Sequence, residues 1–123
     1  DGGWDARRVG LVSAHATATP FNDAMESRAM QAVFAGAAPV VHPFKAEIGH
    51  TLGAAGAIGG IASVLAIHTG QIHPTANYDD PDPSCALAGI SRSAQERKVR
   101  AALLNAFGFG SNNAAVVLAR HAA

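Results

Sequence analysis

The chain has 123 residues and a mass of 12.5 kDa, with nine basic and nine acidic residues. With a net charge of zero, the chain shows no basic stripe that would bind nucleic acid. Its single cysteine excludes an internal disulfide. It contains 28 alanines and 13 glycines but seven aromatic residues (five Phe, one Tyr, one Trp). The length is that of one domain. So few large side chains indicate either a core of closely packed backbones or a piece of a larger protein.

The first third of the chain alternates strand and helix patterns. Residues 9–15 are apolar and then polar, which predicts a short strand. Residues 23–35 carry apolar side chains at helical spacing. Asp23 and Glu26 resemble a capping box at the start of this helix, and Gly36 ends it. Residues 39–44 are a second short strand.

The middle of the chain has an unusual segment without charge. Residues 51–67 consist mainly of small and apolar side chains, and they predict a helix. Its small side chains bury too little apolar area for a stable membrane span. We therefore expect no membrane-spanning segment, but a buried helix that its glycines bring close to a neighbouring backbone.

Loop and strand patterns fill the remainder. Residues 70–85 are rich in Pro, Asp and Asn, which predicts an irregular loop. Two strands follow at 99–106 and 114–120, joined by a glycine-rich turn. The predicted strands alternate with helices over most of the chain, which then ends in two successive strands. This order predicts an α/β fold whose sheet includes an added antiparallel strand.

Two histidines stand at positions suited to chemistry. His15 follows a predicted strand, where open α/β sheets form ligand crevices. His50 precedes the glycine-rich helix, and the positive end of a helix dipole favours a neutral imidazole that donates a hydrogen bond. A purely structural role for both is the alternative. No pattern of a metal site or a phosphate loop is present, and Cys85 lies in a loop without a neighbouring histidine.

Four stretches together resemble the motifs of one enzyme family. Residues 14–20 with Asn22, Asp23 and Glu26 resemble the AHGTxTxxNDxxE motif of β-ketoacyl-acyl carrier protein synthases. Residues 45–56 resemble their KxxxGHxxGAAG motif. The TxNxxxPD loop and the NxFGFGGxN turn of the family are similar to residues 75–82 and 105–113. The order and spacing agree from about residue 9 to the end, which no single motif would establish.

The resemblance implies a thiolase-like α/β fold, in which a mixed sheet packs on a buried Gly/Ala-rich helix. Residues 1–123 would be the later part of the second half of a synthase of the type I/II class. The nucleophilic cysteine would lie on an upstream half, outside this chain, and Cys85 would be non-catalytic. The implied reaction is a decarboxylating Claisen condensation of an acyl thioester with malonyl-acyl carrier protein in fatty acid or polyketide synthesis. The chain alone would be inactive.

The resemblance also implies roles for individual residues. His15 and His50 would hydrogen-bond the malonyl thioester oxygen, and Lys45 would organise the site electrostatically. Thr17 and Thr19 would bind the phosphopantetheine arm of the carrier protein, so the protein itself would need no cofactor and no metal.

A glycine-rich turn would complete the site. The backbone N–H of Phe109 would contribute to the oxyanion hole for the acyl thioester. Its ring would act as a gate in a segment formed by Phe107, Gly108 and Gly110, with the two glycines as hinges. Core filling is the alternative role for both phenylalanines.

The implied partners are an acyl carrier protein and the N-terminal half of the synthase, in a cytoplasmic homodimer or heterodimer. Four departures from the family motifs bear on the site. Gly59 stands where these synthases commonly carry a glutamate that pairs with the lysine, and Glu47 is an alternative partner for Lys45. Ala16, Ser111 and Asn112 also differ from the usual residues. A non-catalytic chain-length-factor-like subunit is therefore the alternative function, and a coenzyme A-dependent thiolase relative is a third.

Overall fold

A mixed β-sheet forms the centre of the fold. The computed structural model of the chain describes residues 3–121. Its strands are β1 (Leu11–Ser13), β2 (Val40–His42), β3 (Gln71–Ile72), β4 (Gln95–Glu96), β5 (Ala101–Gly108) and β6 (Asn112–Ala119). The order in the main sheet is β2-β1-β5-β6, in which β1 is parallel to β2 and β5, and β6 is antiparallel to β5. The predicted α/β class with an antiparallel addition is confirmed.

The four strands predicted from the sequence are β1, β2, β5 and β6, each shifted or shortened by a few residues. The segment 70–85 is largely irregular, as expected. It also contains β3, which pairs with β4 in a second, two-stranded sheet that the sequence pattern did not predict. Two residues per strand are too few to produce a recognisable alternation.

Three helices accompany the sheet: α1 (Asn22–Val33), α2 (Lys45–Ile48) and α3 (Ala55–Thr69). Helices α1 and α3 match predictions, whereas the single turn α2 was not predicted. Side chains of β1 point alternately to the two faces of the sheet. Leu11 packs with Ala66 and Ile67 of α3, and Val12 packs with Met30 of α1. The sheet is therefore a middle layer between α1 and α3.

The predicted capping box of α1 is wrong. The residue that precedes the helix is Phe21, and no side chain caps the first turn. Glu26 is instead buried, with 2% of its surface exposed, and it binds groups outside the helix. The expected stop is present, since Gly36 adopts a left-handed conformation (φ 79°) after the last turn.

Helix α3 packs on the sheet with one face, where a glycine brings the two close together as expected, and its other face is exposed within the described residues. Gly59 lies so close to the sheet that a Cβ there would meet Leu104 Cδ1 at 2.9 Å. On the opposite face, Ile61, Val64 and Leu65 are 62%, 52% and 55% exposed. By length and composition alone, Leu52–Thr69 could cross a membrane (mean hydropathy 1.6). The close contact of Gly59 with the sheet is typical of a helix that packs in a protein core, here with one apolar face left exposed.

The even net charge conceals an uneven distribution. A cleft of about 790 Å³ lies at the edge of the sheet where β1, β2 and β5 begin. Six of the nine basic side chains line it: Arg7, Arg8, Arg97, Lys98, Arg100 and Arg120. The inference from net charge that no basic surface exists was therefore wrong, because strands distant in sequence bring these residues together.

Candidate active site

His15 lies two residues beyond the end of β1, and three hydrogen bonds fix it. Its backbone N–H donates to Glu26 Oε1 (2.8 Å), and its carbonyl accepts from Lys45 Nζ (2.6 Å). The ring Nδ1 accepts from the backbone N–H of Phe107 (3.3 Å). Because a neutral imidazole has one donor and one acceptor nitrogen, the proton of this ring is on Nε2.

His50 follows α2 and has the same ring arrangement. Its Nδ1 accepts a hydrogen bond from the backbone N–H of Leu52 (3.2 Å), so Nε2 is again the donor. The ring centroids of His15 and His50 are 5.7 Å apart, and the rings are perpendicular. The sequence placed His50 directly at the start of the long helix. In the structure, a 3-10 turn over Leu52–Ala54 separates it from α3.

Electrostatics favour a neutral His15. Its side chain is buried, and this desolvation lowers the pKa of His15, as does the positive charge of Lys45. Glu26 and Asp23 oppose the shift. A neutral ring that donates from Nε2 can hydrogen-bond a carbonyl or enolate oxygen.

Lys45 is the first residue of α2 and lies beside both histidines. Burial lowers its pKa, and the carboxylates of Glu26 and Asp23 partly restore it. The ammonium group binds the backbone carbonyl of His15, so Lys45 both fixes the position of His15 and brings a positive charge to the site. Its catalytic role stays a prediction.

Glu26 is the residue whose place at the site the sequence reasoning missed. Its carboxylate accepts from the backbone N–H groups of His15 (2.8 Å) and Ala16 (2.9 Å) and from Asn105 Nδ2 (3.0 Å). It thus joins α1, the segment after β1 and β5. The available signal was that Glu26 and Asn105 both belong to the family-like motifs, but helical spacing alone favoured a capping role.

Glu47 does not pair with Lys45. Its Oε2 lies 3.4 Å from His42 Nε2, and its Oε1 accepts from the backbone N–H of Ala76 (3.2 Å). The alternative pairing considered from the sequence is therefore wrong. The acidic groups that act on Lys45 are on α1, namely Glu26 and Asp23.

The glycine-rich turn is the tip of the β5–β6 hairpin. Phe107 lies at the end of β5, with its ring centroid 5.3 Å from that of His15, so it contributes to the site through its ring and its backbone N–H. Phe109 is fully exposed at the tip. Gly110 has a left-handed backbone (φ 75°), whereas Gly108 is extended (φ −119°, ψ 160°). Of the two predicted hinges, Gly110 has the conformation that requires glycine.

Two adjoining clefts meet at Lys45 and His50. The first, which we call the histidine cleft, has a volume of about 340 Å³ and is also lined by His15 and Phe107. The second, which we call the threonine cleft, has about 380 Å³ and is lined by Thr17. The Oγ1 atoms of Thr17 and Thr19 are 3.0 Å apart, but Thr19 is exposed and does not line the cleft.

Cys85 and Gly59 are the last two residues that the sequence singles out. Cys85 is half-buried and lies on the wall of the threonine cleft, and Ser84 Oγ is 3.6 Å from its sulfur. Gly59 has no room for a side chain without movement of its neighbours, since a Cβ would also lie 3.2 Å from Ser13 Oγ. A side chain at position 59 would therefore require Leu104 and Ser13 to move.

Several known proteins are similar to this chain. A family described as "Beta-ketoacyl synthase, C-terminal domain" matches residues 1–79. The nodulation protein E of Rhizobium sp. (strain N33) is 45% identical over 93% of this chain and 29% of its own length. The 3-oxoacyl-[acyl-carrier-protein] synthase 2 of Coxiella burnetii is 40% identical over 98% of this chain and 30% of its own.

A solved structure, the ishigamide ketosynthase/chain length factor, is similar with a TM-score of 0.89. It is 39% identical, and the match covers 98% of this chain and 30% of that one. The chain thus spans about 30% of the relatives that it matches. The two histidines, the lysine and the hairpin lie in the part that is shared.

Proposed function

The chain belongs to the β-ketoacyl synthase family, by its C-terminal domain, and on that premise we propose that it supplies the decarboxylation half of a condensing active site. One observation carries the proposal. The Nδ1 atoms of His15 and His50 each accept a hydrogen bond from a backbone N–H. Both rings therefore carry their proton on Nε2, where it is available for a hydrogen bond to a substrate. Two donors converging on one oxygen form an oxyanion site.

The proposed substrate is malonyl-acyl carrier protein. The relative named 3-oxoacyl-[acyl-carrier-protein] synthase 2 supports this class of substrate. The thioester oxygen of the malonyl group accepts hydrogen bonds from both histidines in the histidine cleft. The bond between the α-carbon and the carboxylate breaks, its electron pair enters the enolate, and carbon dioxide leaves.

The enolate carbon then attacks an acyl thioester. A new carbon–carbon bond forms, the thiolate leaves, and the product is a β-ketoacyl thioester. The acyl group is carried by a cysteine on the half of the synthase that lies outside residues 1–123. The backbone N–H of Phe109 binds the oxyanion at that carbonyl, and the exposed hairpin tip is placed to reach the absent half. The chain alone is therefore inactive.

The hydrogen bonds from the two histidines strengthen as negative charge develops on the thioester oxygen, so they stabilise the transition state more than the bound substrate. A preorganised donor of this type contributes about 3 kcal/mol to a transition state, or roughly 100-fold in rate. Lys45 adds a positive charge near the oxygen on which the enolate charge builds up. Thr17 binds the phosphopantetheine arm in the threonine cleft. The carrier protein brings this arm, so no cofactor of the synthase and no metal takes part.

The absent half also covers the exposed apolar face of α3, which places this helix between two sheets in a cytoplasmic synthase. A chain-length-factor-like subunit is the second candidate, and it rests on Gly59 and on the similarity to the ishigamide ketosynthase/chain length factor structure. Presence of both histidines with ordered donors favours the catalytic subunit. The full assembly is a homodimer, or a heterodimer with such a factor.

The test is condensation by the full-length synthase, with acyl- and malonyl-carrier proteins as substrates. We expect His15→Ala and His50→Ala each to lower the rate about 100-fold or more. The matched control is His121→Ala, since His121 is exposed after β6 and lies away from both α3 and the histidine cleft. Unchanged condensation in both active-site variants would refute the proposal.

A further inference from the structure

A buried histidine lies behind the proposed site without a hydrogen bond. His42 ends β2 and is 6% exposed. Within residues 3–121, neither of its ring nitrogens has a hydrogen-bond partner. It lines an apolar cleft of about 330 Å³ together with Phe44 and His73. The carboxylate of Glu47 lies 3.4 Å from Nε2.

Glu47 belongs to the element that carries the site. Helix α2 has four residues, which are too few for a stable isolated helix. Lys45 is its first residue, and His50 follows two residues after its end. The positions of both groups therefore depend on what holds this single turn in place.

Besides the hydrogen bond of Lys45 to the carbonyl of His15, three polar contacts hold α2. The backbone N–H of Ala76 donates to Glu47 Oε1 (3.2 Å), and Asn77 Nδ2 donates to the carbonyl of Ala46 (3.1 Å). Both come from the loop after β3. The third contact, between Glu47 and His42, joins α2 to the sheet.

We propose that the His42–Glu47 pair is a positioning device that fixes α2 against the sheet and so places Lys45 and His50 for decarboxylation. The inference rests on the proposed function. His42 and Glu47 do not touch the substrate, but act through the turn between them and the site. The His42 side chain is buried, whereas that of Glu47 is 25% exposed.

The charges around His42 fit a hydrogen-bond donor. Burial lowers the pKa of His42, the carboxylate of Glu47 on α2 opposes this shift, and His73, which follows β3, adds to it. A neutral ring with its proton on Nε2 can donate to Glu47. At 3.4 Å the contact is longer than a well-formed hydrogen bond of about 2.7–3.2 Å, so its contribution is that of a close pair in buried surroundings.

The experiment uses the full-length synthase and compares two steps. Acyl loading of the upstream cysteine does not use the malonyl site, whereas condensation does. His42→Leu fills a similar volume in apolar surroundings but removes the donor. His42→Gln keeps an N–H donor. Glu96→Gln, an exposed carboxylate on β4, is the matched control.

A misplacement by about 1 Å can cost roughly 100-fold in rate. Because other contacts still hold α2 in His42→Leu, we expect a smaller loss, of about tenfold in kcat for condensation. KM for malonyl-carrier protein stays within about twofold, and acyl loading is unchanged. His42→Gln recovers at least half of the condensation rate, and Glu47→Gln resembles His42→Leu in its kcat. If His42→Leu yields no folded enzyme, Glu47→Gln alone decides.

Three results would overturn the inference. Condensation by both variants could equal that of Glu96→Gln, loading and condensation could fall in equal proportion, or His42→Gln could give no recovery. Failure of the proposed function has a different signature. In that case the wild-type enzyme does not condense, or it condenses equally well without His15 and His50, and the positioning role then has no reaction to serve.

Discussion

Replacement of Glu26 by Gln tests how the site is held together. The carboxylate accepts three hydrogen bonds in a buried place: two on Oε1, from the N–H of His15 and from Asn105, and one on Oε2, from the N–H of Ala16. A glutamine of the same shape keeps its oxygen at the Oε1 position. Its amide nitrogen then faces the N–H of Ala16, so one acceptor is lost and two donors oppose each other.

The expected magnitude follows from this loss. A hydrogen bond to a charged group contributes about 1.5–3 kcal/mol. One such loss at Ala16 corresponds to roughly 10- to 150-fold faster local opening, because about 1.4 kcal/mol is tenfold. Removal of all three bonds in Glu26→Ala would approach the whole stability of a typical domain, about 5–15 kcal/mol. We therefore expect Glu26→Ala not to fold and Glu26→Gln to fold with a weakened site.

Hydrogen exchange of the full-length synthase, read by mass spectrometry on a peptide that covers residues 14–19, measures this opening. Glu26→Gln should raise exchange at Ala16 within the stated range and lower condensation, whereas the exposed Glu96→Gln should change neither. Unchanged exchange in Glu26→Gln would show that the carboxylate does not hold this segment.

Three further predictions concern stability. Burial lowers the pKa of His15 and His42 below the ordinary 6.5, so their contribution to the free energy of unfolding is complete above pH 6.5 and is lost as the pH falls. The urea midpoint should therefore drop between pH 7 and pH 5. The drop should be smaller in His42→Gln, which lacks one of the two titrating rings. Gly60→Ala should stabilise by about 0.5–1 kcal/mol, because alanine favours a helix, whereas Gly59→Ala should destabilise by about 1–2 kcal/mol through overpacking against Leu104. Equal urea midpoints for these two variants would contradict the close approach of α3. Residues 1–123 expressed alone should show no cooperative unfolding and no condensation, and a sharp thermal transition would refute this.

The main strands and the long helices could be predicted from the sequence because each depends on a pattern of neighbouring residues. An apolar run predicted β1, which lies between two parallel strands and is buried on both faces. Helical spacing predicted α1, and the uncharged Gly/Ala segment predicted α3. The family-like motifs also placed His15, Lys45 and His50 in one site, as the structure does.

The remaining features depend on contacts between distant segments. Glu26 meets Asn105 across 79 residues, which no local pattern contains. The His42–Glu47 pair needs the turn α2, which is too short to have a periodicity. The cationic cleft likewise arises from residues 7–8, 97–100 and 120, which the sheet brings together.

The ring protonation of the two histidines tests the central claim most directly. Nitrogen-15 NMR of the full-length synthase with labelled histidine reports which ring nitrogen carries the proton, and His15→Gln and His50→Gln assign the signals. We expect a protonated Nε2 and an unprotonated, hydrogen-bonded Nδ1 in both rings. A proton on Nδ1 in either ring would contradict this claim, because that histidine could not accept the backbone N–H and donate to the substrate from Nε2.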